Sequence, residues 1–479
     1  MTDLLPAELL IDIFAYLPFW DRVRAATVCR RWRIVSLDAA VQLWSTIVVP
    51  GNAEACGALL NRARGAPIAF RIPDMNEDNY TALCALLVKH LPHLKAFDLT
   101  LPSPASGARG PPDRMSEAVS GALTVAAPIL ERIRIANRWN LFLDPDDLLR
   151  GPNLNAIELH GVDLGCLRGC RGSAMLRSLV ATEPQYSWEF VSVDWPLMRS
   201  FPSLRTLAVK VTNYDTRAAP SHPSPFPVNL RHLALALPPD LLRQLANPGD
   251  IAALDSWHIA FISPTLDFVD LAAVMSYLQT ITPTLAAIQF DGLIINLRLV
   301  DTAGRHGTMQ AVRLDPTWGA LLAGVAELSI GGLGSLPRIV LETTTALPSL
   351  KDLTLDVTPL PGVFASNWFK WPRLSCPHLR TVRLRSVTTT SNIPLNSFST
   401  FVRDALGTGL SKLTTLALDR VHPTAQPGVD VMSVLNGLSE TVSVLDTGSI
   451  WPGCHLAWNK SWDELCADLT ISDFLKLQI

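Results

Sequence analysis

From about residue 90 onward the chain returns again and again to one pattern: apolar, two variable residues, apolar, one variable residue, apolar. It appears as "LKAFDL" at Leu94, "LERIRI" at Leu130, "LNAIEL" at Leu154 and "LRTLAV" at Leu204. It continues as "LRHLAL" at Leu230, "LDSWHI" at Leu254, "LAAIQF" at Leu285 and "VAELSI" at Val325, then "LKDLTL" at Leu350, "LRTVRL" at Leu379 and "LTTLAL" at Leu413. A poorer copy, "LRSLVA", starts at Leu176, and a fading one, "VSVLDT", at Val442. The last four positions alternate, which is the period of a short strand with one face buried. Pro92, Pro128, Pro152, Pro202, Pro348 and Pro377 each precede a copy, where proline ends one element and opens the next. Between copies the spacing turns helical: Met115, Val119, Ala122, Leu123 and Ala126 share a face. So do Leu271, Val274, Leu278 and Ile281, and again Phe398, Phe401, Val402, Ala405 and Leu406, with Gly407 placed to stop the helix.

The starts lie 22 to 40 residues apart, a spacing of about 29 that marks a repeat array. A strand and a helix cannot bury their apolar faces alone, so stacked repeats supply the core. The array resembles a degenerate leucine-rich repeat. It departs from that family three residues after the last apolar position, where the family carries a hydrogen-bonded asparagine. Here Val162, Ile262, Leu293, Leu333, Val387 and Val421 stand there, so an apolar ladder is expected instead.

The first residues have another pattern. Pro6 suits a first helical turn, and Leu9, Leu10, Ile13, Phe14 and Leu17 form a stripe flanked by Tyr16. Pro18 stops that helix, Asp21 can cap a second, and apolar residues run through Val23, Ala26, Val28 and Cys29 to Trp32. Three short helices cannot bury that much apolar surface among themselves, so a partner is expected.

The stretch "LPAELLIDIFAYLPFWDRVRAATVCRRWRIV" with its closing "LW" resembles the F-box, a three-helix module. The positions that carry the resemblance are Leu5-Pro6, Glu8, Leu9, Ile13, Leu17-Pro18, Asp21, Val28-Cys29, Arg31-Trp32 and Leu43-Trp44. The resemblance implies docking onto the Skp-type adaptor of a cullin-based (SCF) ubiquitin ligase, with the repeats selecting the protein to be ubiquitinated. The adaptor-facing set it implies is Leu5, Pro6, Leu9, Ile13, Leu17, Val28, Trp32 and Trp44. For Ile13, Val28 and Cys29 the core of the module is the alternative placement, with Val28 and Cys29 expected to close the small helical core. A recognition scaffold that works without a cullin fits the same residues.

The expected fold class is therefore α/β: a three-helix F-box over 1–46 and a linking or capping region over 47–90. A curved leucine-rich-repeat-like solenoid with a parallel sheet on its concave face follows over 91–450, then a C-terminal cap over 451–479.

Composition narrows the functional classes. Net charge is −3 and only 17% of residues are charged, so no basic field holds nucleic acid or an anionic membrane. The uncharged run 271–290 carries too many polar residues for a membrane span and reads as a helix followed by a strand. Eight cysteines without regular spacing and without an export signal are expected to be reduced, mostly buried thiols in the cytosol or nucleus.

No cofactor, metal or catalytic residue is expected. The chain lacks GK, HExxH, GxSxG and GxGxxG. Cys166 and Cys170 have no second Cys/His pair, nor have Cys454, His455 and Cys466.

In a solenoid, targets bind the extended concave face. Most of its variable strand positions here are small. The exceptions are the candidate target contacts: Arg132, Arg134, Glu158, His160, Lys210, His232 and His258, then Asp352, Asp356, Arg383, Arg385 and Asp419. A solvated strand face is the competing reading of each. The proline-rich loop 219–227 is a second candidate.

Overall fold

The computed structural model of the protein describes residues 5–48, 52–72, 79–101, 113–141, 151–162, 167, 174–182, 201–211, 226–237, 250–251, 253–261, 283–291, 294–312, 322–332, 346–357, 374–386, 390–406 and 412–445. The chain divides into two compact units, Met1–Ala236 with Trp462–Ile479 and Leu237–Ser461. Seventeen strands form the parallel-strand sheet of this α/β protein, after a group of N-terminal helices. Among the described residues no helix is long and apolar enough to cross a membrane.

The first unit opens with α1 (Ala7–Tyr16), α2 (Phe19–Val28), α3 (Arg30–Asp38) and α4 (Ala40–Leu43). Then come β1 (Thr46–Val48), α5 (Ala53–Arg62), β2 (Ile68–Ile72), α6 (Tyr80–His90), β3 (Leu94–Thr100) and α7 (Asp113–Leu123). The strands β4 (Arg132–Leu141), β5 (Ala156–Val162), β6 (Ser178–Thr182), β7 (Thr206–Lys210) and β8 (His232–Leu237) complete it. All eight strands pair in parallel and in chain order. The 47–90 stretch thus does more than link, because it supplies two strands and two helices of the same design. Helix α7 buries Val119, Ala122 and Leu123, while Ala126 lies past its end and is exposed.

Every copy of the repeat becomes a strand. The apolar residue that opens each copy closes a turn: Leu130 donates to Ala127, Leu154 to Gly151, Leu204 to Phe201 and Leu379 to Cys376. In each of these turns proline or its neighbour occupies the second position, where a fixed φ suits a β-turn. Val162 and Val421 are fully buried, so at these two repeats an apolar side chain does hold the turn. Ile262, Leu293, Leu333 and Val387 lie outside the described residues. Asparagines act elsewhere: the side-chain amides of Asn153 and Asn229 donate to the carbonyls of Pro128 and Pro202, one repeat back, both at 2.7 Å.

The second unit carries β9 (Ser256–Phe261), β10 (Pro283–Asp291), β11 (Ile294–Asp301), β12 (His306–Val312) and β13 (Glu327–Gly332). It goes on through β14 (Asp352–Asp356), β15 (Thr381–Arg385), β16 (Ser391–Pro394), α8 (Leu395–Thr400), β17 (Leu413–Asp419), β18 (Val421–Thr424), α9 (Val431–Leu438) and β19 (Ser439–Leu445). Its sheet is not wholly parallel. The order is β9-β12-β11-β10-β13-β14-β15-β17-β19, with β10–β11 and β11–β12 antiparallel and the rest parallel. The 40-residue step from Leu285 to Val325 is long because it takes in this inserted hairpin. At its β11–β12 turn the Asp301 carboxylate accepts from the backbone N–H of Ala303 and Arg305 and from the Arg305 guanidinium. Strands β16 and β18 form a separate parallel pair. Phe398, Phe401, Val402 and Leu406 are buried as their spacing predicts, with a π-turn over Phe401–Ala405.

Two copies are framed differently from their sequence reading. Ala286 pairs with Leu328 and Ile288 with Ile330, so the repeat at β10 begins at Pro283, not Leu285. Val442 pairs with Leu416 and Val444 with Leu418, so the last repeat begins at Ser439, not Val442. At β10 the outward Leu285 imitates the opening leucine, and at β19 the fourth-position Val442 does.

Candidate functional site

The helices of the N-terminal module split the apolar stripe of α1 into two. Leu10 and Phe14 turn inward and are buried, while Leu9 and Ile13 remain 49% and 47% exposed, with Tyr16 beyond them. Spacings of four and three residues put Leu9, Ile13 and Tyr16 on one helical face. Val28, at the end of α2, is 65% exposed, and Leu5 and Pro6 are exposed as well. Leu17 is half-buried. Ile13 and Val28 therefore lie on the surface and not in the core of the module.

Three arrangements hold the module together. Phe14 meets Trp32 edge-to-face, with ring centroids 5.1 Å apart. Trp32 itself is half-buried, and its indole N–H is buried without an acceptor among the described residues. Arg22 donates to the Leu17 carbonyl through Nε (3.3 Å) and to the Leu43 carbonyl through Nη1 (2.5 Å), which joins the end of α1 to the end of α4. Arg31 donates to the Leu5 carbonyl and so fixes the residues ahead of α1. Cys29 is not in the core: it is exposed, and its sulfur caps α3 by accepting from the Trp32 N–H at 3.4 Å. Cys56, Cys84 and Cys376 are buried, and burial pushes their thiols up to about 12, about 11 and about 12.

Trp44 is a correction. Expected on the adaptor face, it is fully buried. Its Nε1–H donates to the Ser36 carbonyl at 2.9 Å, Phe19 meets its ring edge-on, and the Arg62 guanidinium lies 5.3 Å from the ring centroid. An aromatic ring closed on every side by its own chain has no surface left for a partner.

The candidate target contacts fall on outward strand positions, and the register sorts them. In the first unit Arg71, Asp98, Arg134 and Glu158 lie side by side on β2, β3, β4 and β5. Arg71 bridges Asp98 at 3.0 Å, and Arg134 bridges Asp98 at 3.2 Å and Glu158 at 2.8 Å. Glu158 Oε1 also accepts from His160 Nε2 at 2.6 Å, and His160 Nδ1 meets the Thr182 hydroxyl at 2.9 Å. A carboxylate only accepts, so Nε2 carries the proton.

Burial raises the Glu158 pKa, but the His160 hydrogen bond and the Arg134 charge outweigh it and hold the carboxyl below its ordinary value. At Asp98 burial wins over Arg134 and Arg71, and the pKa rises. For Arg134 the balance against burial favours Glu158 and Asp98, and its pKa rises too. Arg132 is buried on the neighbouring row, with His232 further along it, and Lys210 is half-buried on the Thr182 row.

Asp98 and Arg71 belong to this network and were absent from the sequence reading. Asp98 holds the fourth position after Leu94, the same position as Arg134 and Glu158 in their copies, so the signal was present. Arg71 sits in "IAFRI", a strand without an opening leucine.

In the second unit Asp356, Arg385 and Asp419 share a row across β14, β15 and β17, and Arg383 lies between Thr354 and Ala417. Asp352 stands between Glu327 and Thr381. The Arg385 Nε and one Asp419 oxygen are buried without a hydrogen-bond partner among the described residues. His258 is buried on β9 against the Thr308 hydroxyl of β12, and burial lowers its pKa to about 4. Of the 219–227 loop only Phe226 and Pro227 are described, and Cys166, Cys170, Cys454, His455 and Cys466 lie outside the described residues. Among the described residues no group of three or more His, Cys, Asp or Glu side chains could hold a metal ion.

The helical module thus carries an outward apolar stripe and leads directly into the parallel strands β1 to β8. Residues 2–50 match the F-box-like family, and the chain carries that domain there. No curated protein matches the chain.

Proposed function

We propose that the chain is the substrate-recognition subunit of an SCF-type ubiquitin ligase. Its F-box-like module docks onto the Skp-type adaptor, and through it a cullin, while an outward sheet face binds a protein target. The chain itself performs no reaction step in this reading. The observation that carries the reading is the second apolar stripe of α1: Leu9 and Ile13 face outward in a domain of a family that generally binds such adaptors. Leu5, Pro6, Leu17 and Val28 extend the same docking surface, and Trp32 supports it from behind through Phe14.

Leu9→Ala with Ile13→Ala tests it. Each is exposed, so thermal unfolding of the free chain is expected to stay put, while adaptor affinity falls by about 2 kcal/mol per residue if both are interface anchors. Unchanged adaptor affinity in a titration would overturn the docking reading. Co-purification of the adaptor without the cullin would move the protein to the scaffold class.

A further inference from the structure

The cations of the chain are mostly arginine. The sequence holds 32 arginines and eight lysines, although lysine is among the commoner residues of soluble proteins. Its first 88 residues carry eight arginines and no lysine. At some positions the fold explains the choice. Arg22 forks to two carbonyls, Arg134 spans two carboxylates, and the Arg62 guanidinium lies over the Trp44 ring. A lysine ammonium, a point charge on a flexible stem, replaces none of these. At other positions the fold explains nothing. Arg24 bridges Asp21 and Arg64 bridges Asp38 through largely exposed side chains, where an ion pair contributes little and lysine would serve as well. Arg33 is exposed on α3, and arginine and lysine have nearly equal helix propensity. The repeats supply their own comparison. The residue after the opening leucine is lysine in two copies, Lys95 and Lys351, and arginine in four, Arg177, Arg205, Arg231 and Arg380. Lys351 and these four arginines are exposed, and each donates its backbone N–H to the preceding repeat at 2.8 Å. The fold takes either side chain there.

We propose that the use of arginine in place of lysine shields the chain from the ubiquitin ligase it docks on, an inference that rests on the SCF reading above. Ubiquitin is transferred from a thioester. A neutral lysine ε-amine attacks the thioester carbonyl, an isopeptide C–N bond forms as the C–S bond breaks, and the amine proton leaves with the thiol. Arginine cannot take that part, because its guanidinium is delocalised and stays protonated, with a pKa above about 12. It keeps the charge and the helix propensity of lysine while removing the acceptor. A receptor of this composition holds its target beside the thioester and offers few amines of its own. Several of the lysines that remain are engaged: Lys95 bridges Glu131 at 3.6 Å, Lys412 donates to the Asn436 carbonyl at 3.1 Å, and Lys210 is half-buried.

The test is reconstituted ubiquitination of the full chain with the adaptor, the cullin ligase and a ubiquitin-charged transfer enzyme, with acceptor sites mapped by peptide mass spectrometry. Two variants are compared with the parent. One carries Arg24→Lys, Arg33→Lys and Arg64→Lys, the other Arg177→Lys, Arg205→Lys, Arg231→Lys and Arg380→Lys. Both keep the charge, and the second places lysine only where the repeat already accepts it, so thermal unfolding is expected to match the parent. Each variant is expected to gain ubiquitin severalfold faster than the parent, at the introduced lysines. Co-purification of the adaptor, and discharge of the thioester onto free lysine, report an assembled and active ligase. No gain in either variant with an active ligase would overturn the shielding and leave the docking reading standing. Failure of the chain to bind the adaptor would remove the docking reading, and this inference with it.

Discussion

The two units use one repeat grammar to different ends. In the first, β1 to β8 follow one another across the sheet in the order the chain makes them. In the second, β11 and β12 enter between β9 and β10. A two-strand insertion is the smallest that leaves β10 parallel to β9, because one strand goes down and the next returns. The hairpin therefore lengthens the sheet without breaking the parallel frame on either side.

The outward chemistry differs as well. The first unit closes its charges into a chain of bridges from Arg71 to Thr182 with a surplus of cations. Across β13 to β17 the second carries Glu327, Asp352, Asp356 and Asp419 against Arg383 and Arg385, an excess of acids. A closed network is a rigid surface whose members are committed to one another.

The largest break in this contrast is expected from Arg134→Ala. It leaves Asp98 and Glu158 partly buried without their shared cation, and loss of about 3 kcal/mol is expected in urea unfolding. Next comes Gly307→Ala in the inserted hairpin, where an added Cβ would lie 2.0 Å from the buried Trp257 ring. Overpacking of this kind costs about 2 kcal/mol, read as faster hydrogen exchange over β9 and β12 with the first unit unchanged.

The pH dependence of the two units is expected to differ in position, with slopes no steeper than about 1.4 kcal/mol per pH unit for each group. His258 has a folded pKa lowered to about 4. Its contribution to the second unit is present above the unfolded value of about 6.5 and lost as pH falls through the folded one. Glu158 is also depressed, so its contribution to the first unit is present above about 4.3 and lost only further into acid. Asp98, raised, works the other way: its contribution is present below about 3.9 and lost as pH rises through its folded pKa. Peptide-resolved hydrogen exchange between pH 7 and pH 4 should show the second unit loosening first, and His258→Asn should abolish that order. The smallest effect is expected at the ladder's edge. Arg71→Ala, with a largely exposed guanidinium at the end of the first unit's row of bridges, is expected to cost about 1 kcal/mol or less.

Much of this architecture was legible from period alone. An opening leucine, a turn proline and alternation after them mark a strand whether or not the copy is a good one, and even "LRSLVA" at Leu176 forms β6. What period cannot mark is frame where an apolar residue stands on the outward face, as at Leu285, or where a serine replaces the opening leucine, as at Ser439. Nor can it mark strands that lack the opening leucine, as in β1 and β2. The N-terminal stripe was legible as apolar surplus. Which of its residues face out was not, because Leu9 and Leu10 differ by one step of about 100° on a helix. Trp44 was misread for a related reason: the Arg62 that covers it comes from the next helix along, beyond the reach of any local pattern.

That tryptophan also bears on how the molecule can be taken apart. Its ring is the pin of a joint: one side belongs to α2 and α3, the other to a side chain of α5. A fragment cut at residue 46 would carry the pin without its socket, and the remaining chain would carry the socket without its pin. The module is therefore not an interchangeable plug. Grafted elsewhere, it should travel with the chain through α5, and whatever docks on α1 is coupled stiffly to the first strands of the sheet.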